Sequence, residues 1–233
     1  MGFREVVKAI PLAGPVAVRV NSTIKNWRYR RFFAQKTNVE KFTQIYEKNF
    51  WKGSESRSGK GSSLTNTANI RRELAPLLSR LDVRSLLDIP CGDFNWMKEI
   101  DLRDIDYLGG DIVESVILAN NERYGSPRCH FAILDITRSL LPRVDLILCR
   151  DCLVHLSILE IQRAVTNIAS SKAEFVILSH YPDIAENQPL PDLHWRPLNF
   201  QQAPFHFPSP VSMIVENEPG KTAALWRVGD LAA

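Results

Sequence analysis

Five short apolar runs, spaced by helical or turn-rich stretches, restrict this chain more than any other feature. "VRSLLDIP", "DYLGGDI", "HFAILDI", "VDLILCRD" and "EFVILSHY" follow one another between residues 83 and 181. Between them, "FNWMKEI", "ESVILANNERYG" and "SILEIQRAVTNIASS" space their apolar residues as helices do. Strands this apolar must be covered on both faces, and helical connections between them make the sheet parallel. Two later runs, "VSMIVEN" and "TAALWRV", flank Glu218-Pro219-Gly220-Lys221, a hairpin turn signal. The expected fold is therefore α/β: a doubly wound, mostly parallel sheet closed by a C-terminal antiparallel hairpin.

The 233 residues, 45% hydrophobic and 24% charged, suffice for one such domain. We expect a basic arm over residues 1–37 and a single domain over 38–233. Within it, residues 38–82 give two helices and a Gly/Ser stretch, 83–181 the core, 182–209 a Pro-rich insert and 210–228 the hairpin. The first helix is expected from about Asn38 to Trp51. The second is expected after a Ser63 cap, with Ile70, Leu74, Leu77, Leu78 and Leu81 as its apolar stripe.

Charge is uneven. Nine Lys/Arg stand against Glu5 and Glu40 up to Lys41, about +7, which leaves about −4 for the rest of a chain of net charge +3. "KNWRYRRFF" reads as a solvated basic arm or the outer face of a docked helix, and otherwise as a contact for an anionic membrane surface or nucleic acid. "AIPLAGPVAVRV" is too short and too broken by Gly and Pro for a span, and is a poor signal peptide. Four cysteines without framework spacing, one pair in a lone "CRDC", point to reduced thiols, no zinc site and a cytoplasmic location, with peripheral contact to the inner membrane face through the arm as the variant reading.

In an open parallel sheet, ligands bind beyond the carboxyl ends of the strands. The first strand ends "LLDIPCGDFNW", with Asp88 closing it and Gly92 allowing a tight turn. Asp111 ends the second, about twenty residues on, where an acid is placed to hydrogen-bond a ribose. Asp135-Ile136 follows the third, a carboxylate and an aliphatic side chain that suit an adenine. Arg150-Asp151 ends the fourth. Acidic strand ends without a phosphate clamp disfavour a pyrophosphate. A cationic adenosine ligand is welcome there, and S-adenosylmethionine is one.

"SLLDIPCGDFNWM", "YLGGDIVESVI", "FAILDIT" and "VDLILCRDCLVHLS" together resemble the successive motifs of class I S-adenosylmethionine-dependent methyltransferases, whose fold is Rossmann-like. The likeness covers roughly residues 83–181 and the hairpin. The chain also closely resembles a bacterial subgroup with the "DIPCGDFNWM" form, often associated with surface-polysaccharide genes. The family's acid-x-Gly-x-Gly-x-Gly motif is matched at Asp88 and Gly92, while Pro90 and Phe94 replace the outer glycines. The resemblance implies S-adenosylmethionine as cofactor, held by Asp88, Pro90, Cys91, Gly92, Asp93, Asp111, Ile112, Asp135, Ile136 and Arg150.

Asp151, His155 and His180 are the candidate bases, because methyl transfer to a hydroxyl gains from a positioned proton acceptor. Ser157 and Glu160 form a capping box, so His155 sits in the loop before a helix and either anchors that loop or takes part in chemistry. The insert offers Trp195, Arg196, Asn199 and Phe205 as acceptor-binding residues, joined by Trp51 and Ser58 from the N-terminal segment. "GSESRSGKGSS", residues 53–63, mimics a phosphate-binding loop but lacks the first glycine and has Gly61 where Ser or Thr is required. It is expected to be a lid over the cofactor, or else a linker. No Asn/Asp-Pro-Pro-Tyr/Phe stretch follows the fourth strand, which argues against DNA-base methylation. The expected acceptor is a saccharide or another small polar molecule. The alternatives are a lipid-linked acceptor at the membrane and a non-catalytic cofactor-binding protein.

Overall fold

The computed structural model describes residues 36–190 and 195–231. The basic arm up to residue 35, and residues 191–194 of the insert, lie outside the described residues.

Seven strands form one sheet: β1 (Ser85–Asp88), β2 (Asp106–Asp111), β3 (Cys129–Ile133), β4 (Leu146–Cys149), β5 (Phe175–His180), β6 (Ser212–Val215) and β7 (Thr222–Arg227). Their order is β3-β2-β1-β4-β5-β7-β6. The first five are mutually parallel, and β7 runs antiparallel between β5 and β6. Among the described residues the α-helices are α1 (Asn38–Glu47), α2 (Ala68–Arg80), α3 (Glu114–Tyr124) and α4 (Ile158–Ser170).

Side chains alternate between two cores, as period two requires. Leu87, Ile147 and Leu178 face α4 and the insert, while Leu86, Leu148 and Ile177 face α2. α4 begins where the sequence places it: Ser157 Oγ accepts from Glu160 N at 3.3 Å, and Glu160 accepts from Ser157 N at 2.8 Å. The hairpin closes through Gly220 at φ 73° and a Lys221 N–H donating to Glu218 O at 3.2 Å.

Three boundaries differ from expectation. α1 ends at Glu47 rather than Trp51, because Asn49 and Lys52 take positive φ, which no right-handed helix tolerates. α2 starts at Ala68; Ser63 caps only a preceding turn, its Oγ accepting from Asn66 N. "FNWMKEI" gives a single 3-10 turn, Met97–Glu99, since Phe94 has φ 56°.

Strand order reverses between β1 and its neighbours β2 and β4. That switch point opens a crevice at the strand ends, where the first strand turn, the β2 end and the β4 loop meet.

Candidate active site

A cavity of about 740 Å³ occupies the crevice. Its inner half is built from the turn after β1 and the ends of β2 and β3. Pro90, Cys91, Gly92, Asp111, Ile112, Asp135 and Ile136 all line it, as the sequence suggests. Gly92 takes φ 53°, and a Cβ there would lie 2.4 Å from Ser58 Oγ, so the turn needs glycine. Phe94, in the place of the motif's last glycine, also adopts a left-handed φ. Its ring packs within 5.1 to 5.2 Å of Tyr107, Tyr124 and Phe131, which offsets the backbone strain.

Asp111 is the organising acid. Its Oδ2 accepts from Gly92 N at 3.1 Å and its Oδ1 from Val113 N at 2.9 Å, tying β2 to the glycine turn. Burial pushes its carboxyl up to about 6, against those backbone bonds. Asp88 is buried beneath, where Tyr107 donates to it at 2.8 Å, and burial raises it to about 7. Asp88 does not line the cavity; it supports the turn from below. Burial also raises the Cys91 thiol well above its ordinary value, so Cys91 is no nucleophile.

Asp93 does not line the cavity; it straps the 53–63 segment. It accepts from Ser56 Oγ at 2.8 Å, Arg57 N at 2.8 Å and Ser58 Oγ at 3.2 Å. Further along, Asn95 donates to Ser62 O at 3.0 Å and Arg150 to Gly61 O at 2.9 Å. The phosphate-loop lookalike is thus a cover fastened over the glycine turn, and its Ser58 and Lys60 line the cavity.

Arg150 is a further correction: it does not line the cavity. Its guanidinium is buried between Glu216, at 2.5 Å, and the Trp96 ring, at 5.3 Å. Lys221, wholly buried, bridges Asp151 at 2.6 Å and Glu216 at 3.4 Å. Asp151 does line the cavity, at φ 55°. Burial raises its carboxyl, but the Arg150 and Lys221 charges overcome that and hold it well below the usual carboxylate range. So paired, Asp151 is an anionic fixture rather than a base.

His155 lines the cavity, stacked on Trp51 with ring centroids 5.3 Å apart and 28° between planes, while Phe42 meets it edge-on at 6.4 Å. His180 is elsewhere. It is fully buried, its Nδ1 accepts from Phe200 N at 3.2 Å, and its ring abuts Trp226 edge-on. Burial lowers it to about 4, so it stays neutral and cannot serve the cavity.

The insert divides likewise. Trp195 lines the cavity. Arg196, Asn199 and Phe205 are buried outside it: Arg196 donates to Leu156 O, Asn199 to Pro182 O and Ile184 O, and Phe205 packs on Phe200. Leu198, Phe200, Phe205 and Phe207 of the insert extend the core beside β5.

Sequence reasoning missed Asn38, Phe42 and Tyr46, which line the cavity from one face of α1. Their spacing of four was the available signal. It also missed Asn217, Glu218 and Pro219 in the β6–β7 turn, which only the antiparallel insertion of β7 brings to the strand ends. Among the described residues, no cluster of His, Cys, Asp and Glu is arranged to hold a metal ion, and no helix is long and apolar enough to cross a membrane.

No protein-family model matches the chain, and no curated protein matches it. Solved structures do. TnmH superposes with a TM-score of 0.65 at 13% identity, over 93% of this chain and 71% of that one. Human N-acetylserotonin methyltransferase, in complex with SAM, gives 0.59 at 14%, over 85% of this chain and 61% of its own, so this chain spans less than two thirds of that enzyme. Magnesium protoporphyrin IX methyltransferase from Synechocystis PCC 6803, with bound SAM, gives 0.52 at 14%, over 82% and 96%. With its strand order and closing antiparallel pair, the chain has the α/β fold of class I methyltransferases.

Proposed function

We propose that this chain is an S-adenosylmethionine-dependent methyltransferase that acts on a hydroxyl of a small acceptor. One observation carries the reading: a buried carboxylate, Asp111, is fixed by the amide of Gly92 at the switch point of the sheet, inside a cavity large enough for two ligands. The residues present fit the donor. Asp111 offers acceptor oxygens for ribose hydroxyls, Asp135 stands beside Ile136 for an adenine, and the anionic Asp151 favours positive charge nearby. The likeness to structures that hold SAM supports the same cofactor.

When bound, S-adenosylmethionine supplies a methyl group on a positively charged sulfur. The chain's own residues do the rest. The 53–63 cover, strapped by Asp93, excludes water from the inner half. His155, which lines the cavity, takes the acceptor's proton.

Calorimetric titration with S-adenosylhomocysteine, followed by a methyl-transfer assay on an acceptor panel, tests the reading. Binding is expected, with turnover lowered about a hundredfold in His155→Gln and the product's affinity unchanged. Failure to bind refutes the reading, and binding without turnover on any acceptor favours a non-catalytic binding protein.

A further inference from the structure

Residues 1–35 carry seven Lys/Arg against Glu5 alone, and they join the described chain two residues before Asn38, which lines the cavity. Whatever those residues attach to is therefore tethered next to the cavity's opening. We infer that this opening docks on an anionic lipid surface, with the basic arm and the lysines of α1 against the headgroups. Three exposed apolar side chains on the rim, Val39, Leu159 and Trp195, enter the lipid. The docking involves the rim alone, whatever the cavity binds inside.

The three apolar side chains come from segments that are pinned together. Asn38 Nδ2 donates to Glu160 Oε1 at 2.7 Å, which sets the start of α1 against the first turn of α4. Val39 and Leu159 are the sequence neighbours of that pair. Arg196 N donates to Val154 O at 3.2 Å and Arg196 Nη2 to Leu156 O at 2.8 Å, which sets Trp195 beside the loop that leads into α4. Val39 is 47% exposed, Leu159 57% and Trp195 39%. One exposed apolar residue is ordinary, whereas several around one opening mark an interaction surface. Trp195 also lines the cavity, so it stands at the edge of the opening. An indole, apolar in body with one polar N–H, suits the boundary between headgroups and acyl chains.

Charge gives the docking its direction. Residues 36–52 hold Lys36, Lys41, Lys48 and Lys52 against Glu40 and Glu47, so α1 and the turn after it continue the sign of the arm. Residues 1–52 together carry about +8 in a chain of net charge +3, which leaves about −5 for the remainder. An anionic surface is attracted to this end of the chain and repelled by the rest, which turns the opening toward it. Nucleic acid would meet the same lysines and arginines, but its phosphates gain nothing from Val39 and Leu159. An anionic bilayer uses both the charge and the apolar side chains.

The test is co-sedimentation of the full chain with vesicles of phosphatidylcholine alone and of phosphatidylcholine mixed with phosphatidylglycerol. Binding is expected to the mixed vesicles only, and it should weaken as salt rises. Val39→Glu and Leu159→Glu should each weaken it about tenfold or more. Leu118→Glu adds the same charge at a position 63% exposed on α3, away from the rim, and should change binding less than about threefold. Arg28→Gln, Arg30→Gln and Arg31→Gln together should weaken it about a hundredfold. All the substituted positions on the helices are exposed, and an unchanged melting temperature shows that each variant is folded. No binding to the mixed vesicles, or equal binding to phosphatidylcholine alone, overturns the inference. So does vesicle binding that ignores both Val39→Glu and Leu159→Glu, which puts the lipid contact elsewhere. Tighter binding to a DNA or RNA duplex than to the mixed vesicles also overturns it and assigns the basic charge to nucleic acid.

Discussion

Replacing Lys221 with Met removes the cation at the floor of the cavity while keeping the length and most of the volume of the side chain. In the native protein Lys221 and Arg150 face three carboxylates, Asp151, Glu216 and Glu218. The exchange leaves one cation for three. Arg150 already gives Nε and Nη2 to Glu216, so only its Nη1, at 3.1 Å, remains for Asp151, which loses its 2.6 Å partner. Removing one member of a buried ion pair costs about 3–5 kcal/mol. For a chain of this size each kcal/mol lowers the melting temperature by about 2–4 °C, so a drop of roughly 10 °C is expected. The pH dependence gives a sharper check. In the wild type, Asp151 lies below the usual range, so its contribution is intact from neutral pH down to mild acid and is lost only below its ordinary value. In Lys221→Met Arg150 is the remaining cation on the Asp151 carboxyl, so the carboxyl's folded-state value rises from the native position toward the ordinary one. The loss is full at pH 8 and shrinks once the variant's acid is protonated while the native one is still charged. Urea unfolding at pH 8 and pH 3 should therefore show a gap between variant and wild type that narrows with acid. A gap under about 1 kcal/mol, or one independent of pH, would refute the view that charge balance holds this floor together.

Other substitutions probe the remaining parts. Asp111→Asn should weaken S-adenosylhomocysteine by about tenfold or more in calorimetry, since a charge-assisted acceptor becomes a neutral one. Trypsin cleavage after Arg57 or Lys60 should slow when that ligand binds, and Asp93→Ala, which removes three bonds to the cover, should speed cleavage with and without it. His180 has a folded-state value near 4, below its ordinary 6.5, so the unfolded chain takes up its proton first. Wild-type stability should then fall as pH drops from above 6.5 toward 4, whereas His180→Asn, less stable at neutral pH, should lack that component; parallel pH profiles from denaturant unfolding would contradict the burial argument.

The sheet was legible because its strands are apolar on both faces and punctuated by acids and turns, a local property of short windows. The inner half of the site was legible for the same reason: Asp111, Asp135 and Gly92 stand at strand ends, and topology alone carries them to the crevice. What failed depended on packing at a distance. His180 ends a strand as Asp111 does, yet β7 and the insert cover it, and nothing within "EFVILSH" tells that a later strand will dock alongside. Arg196 and Asn199 read as exposed because polar residues in a Pro-rich stretch usually are. Here their hydrogen-bonding groups satisfy the carbonyls of Leu156, Pro182 and Ile184. Asp151 read as a base because its cationic partner Lys221 lies seventy residues further on.

That separation also sets a timetable for biosynthesis. All five parallel strands are delivered by residue 180, so a nascent chain already holds Asp111 and the glycine turn. Lys221, Glu216 and the 217–219 turn arrive only with the hairpin, and β7 must insert between β5 and β6 to place them. A half-made chain therefore carries Arg150 and Asp151 beside a crevice that lacks its second cation. The full lining of the cavity therefore exists only once the hairpin has joined the sheet, later in the chain than the residues that supply Asp111 and Gly92.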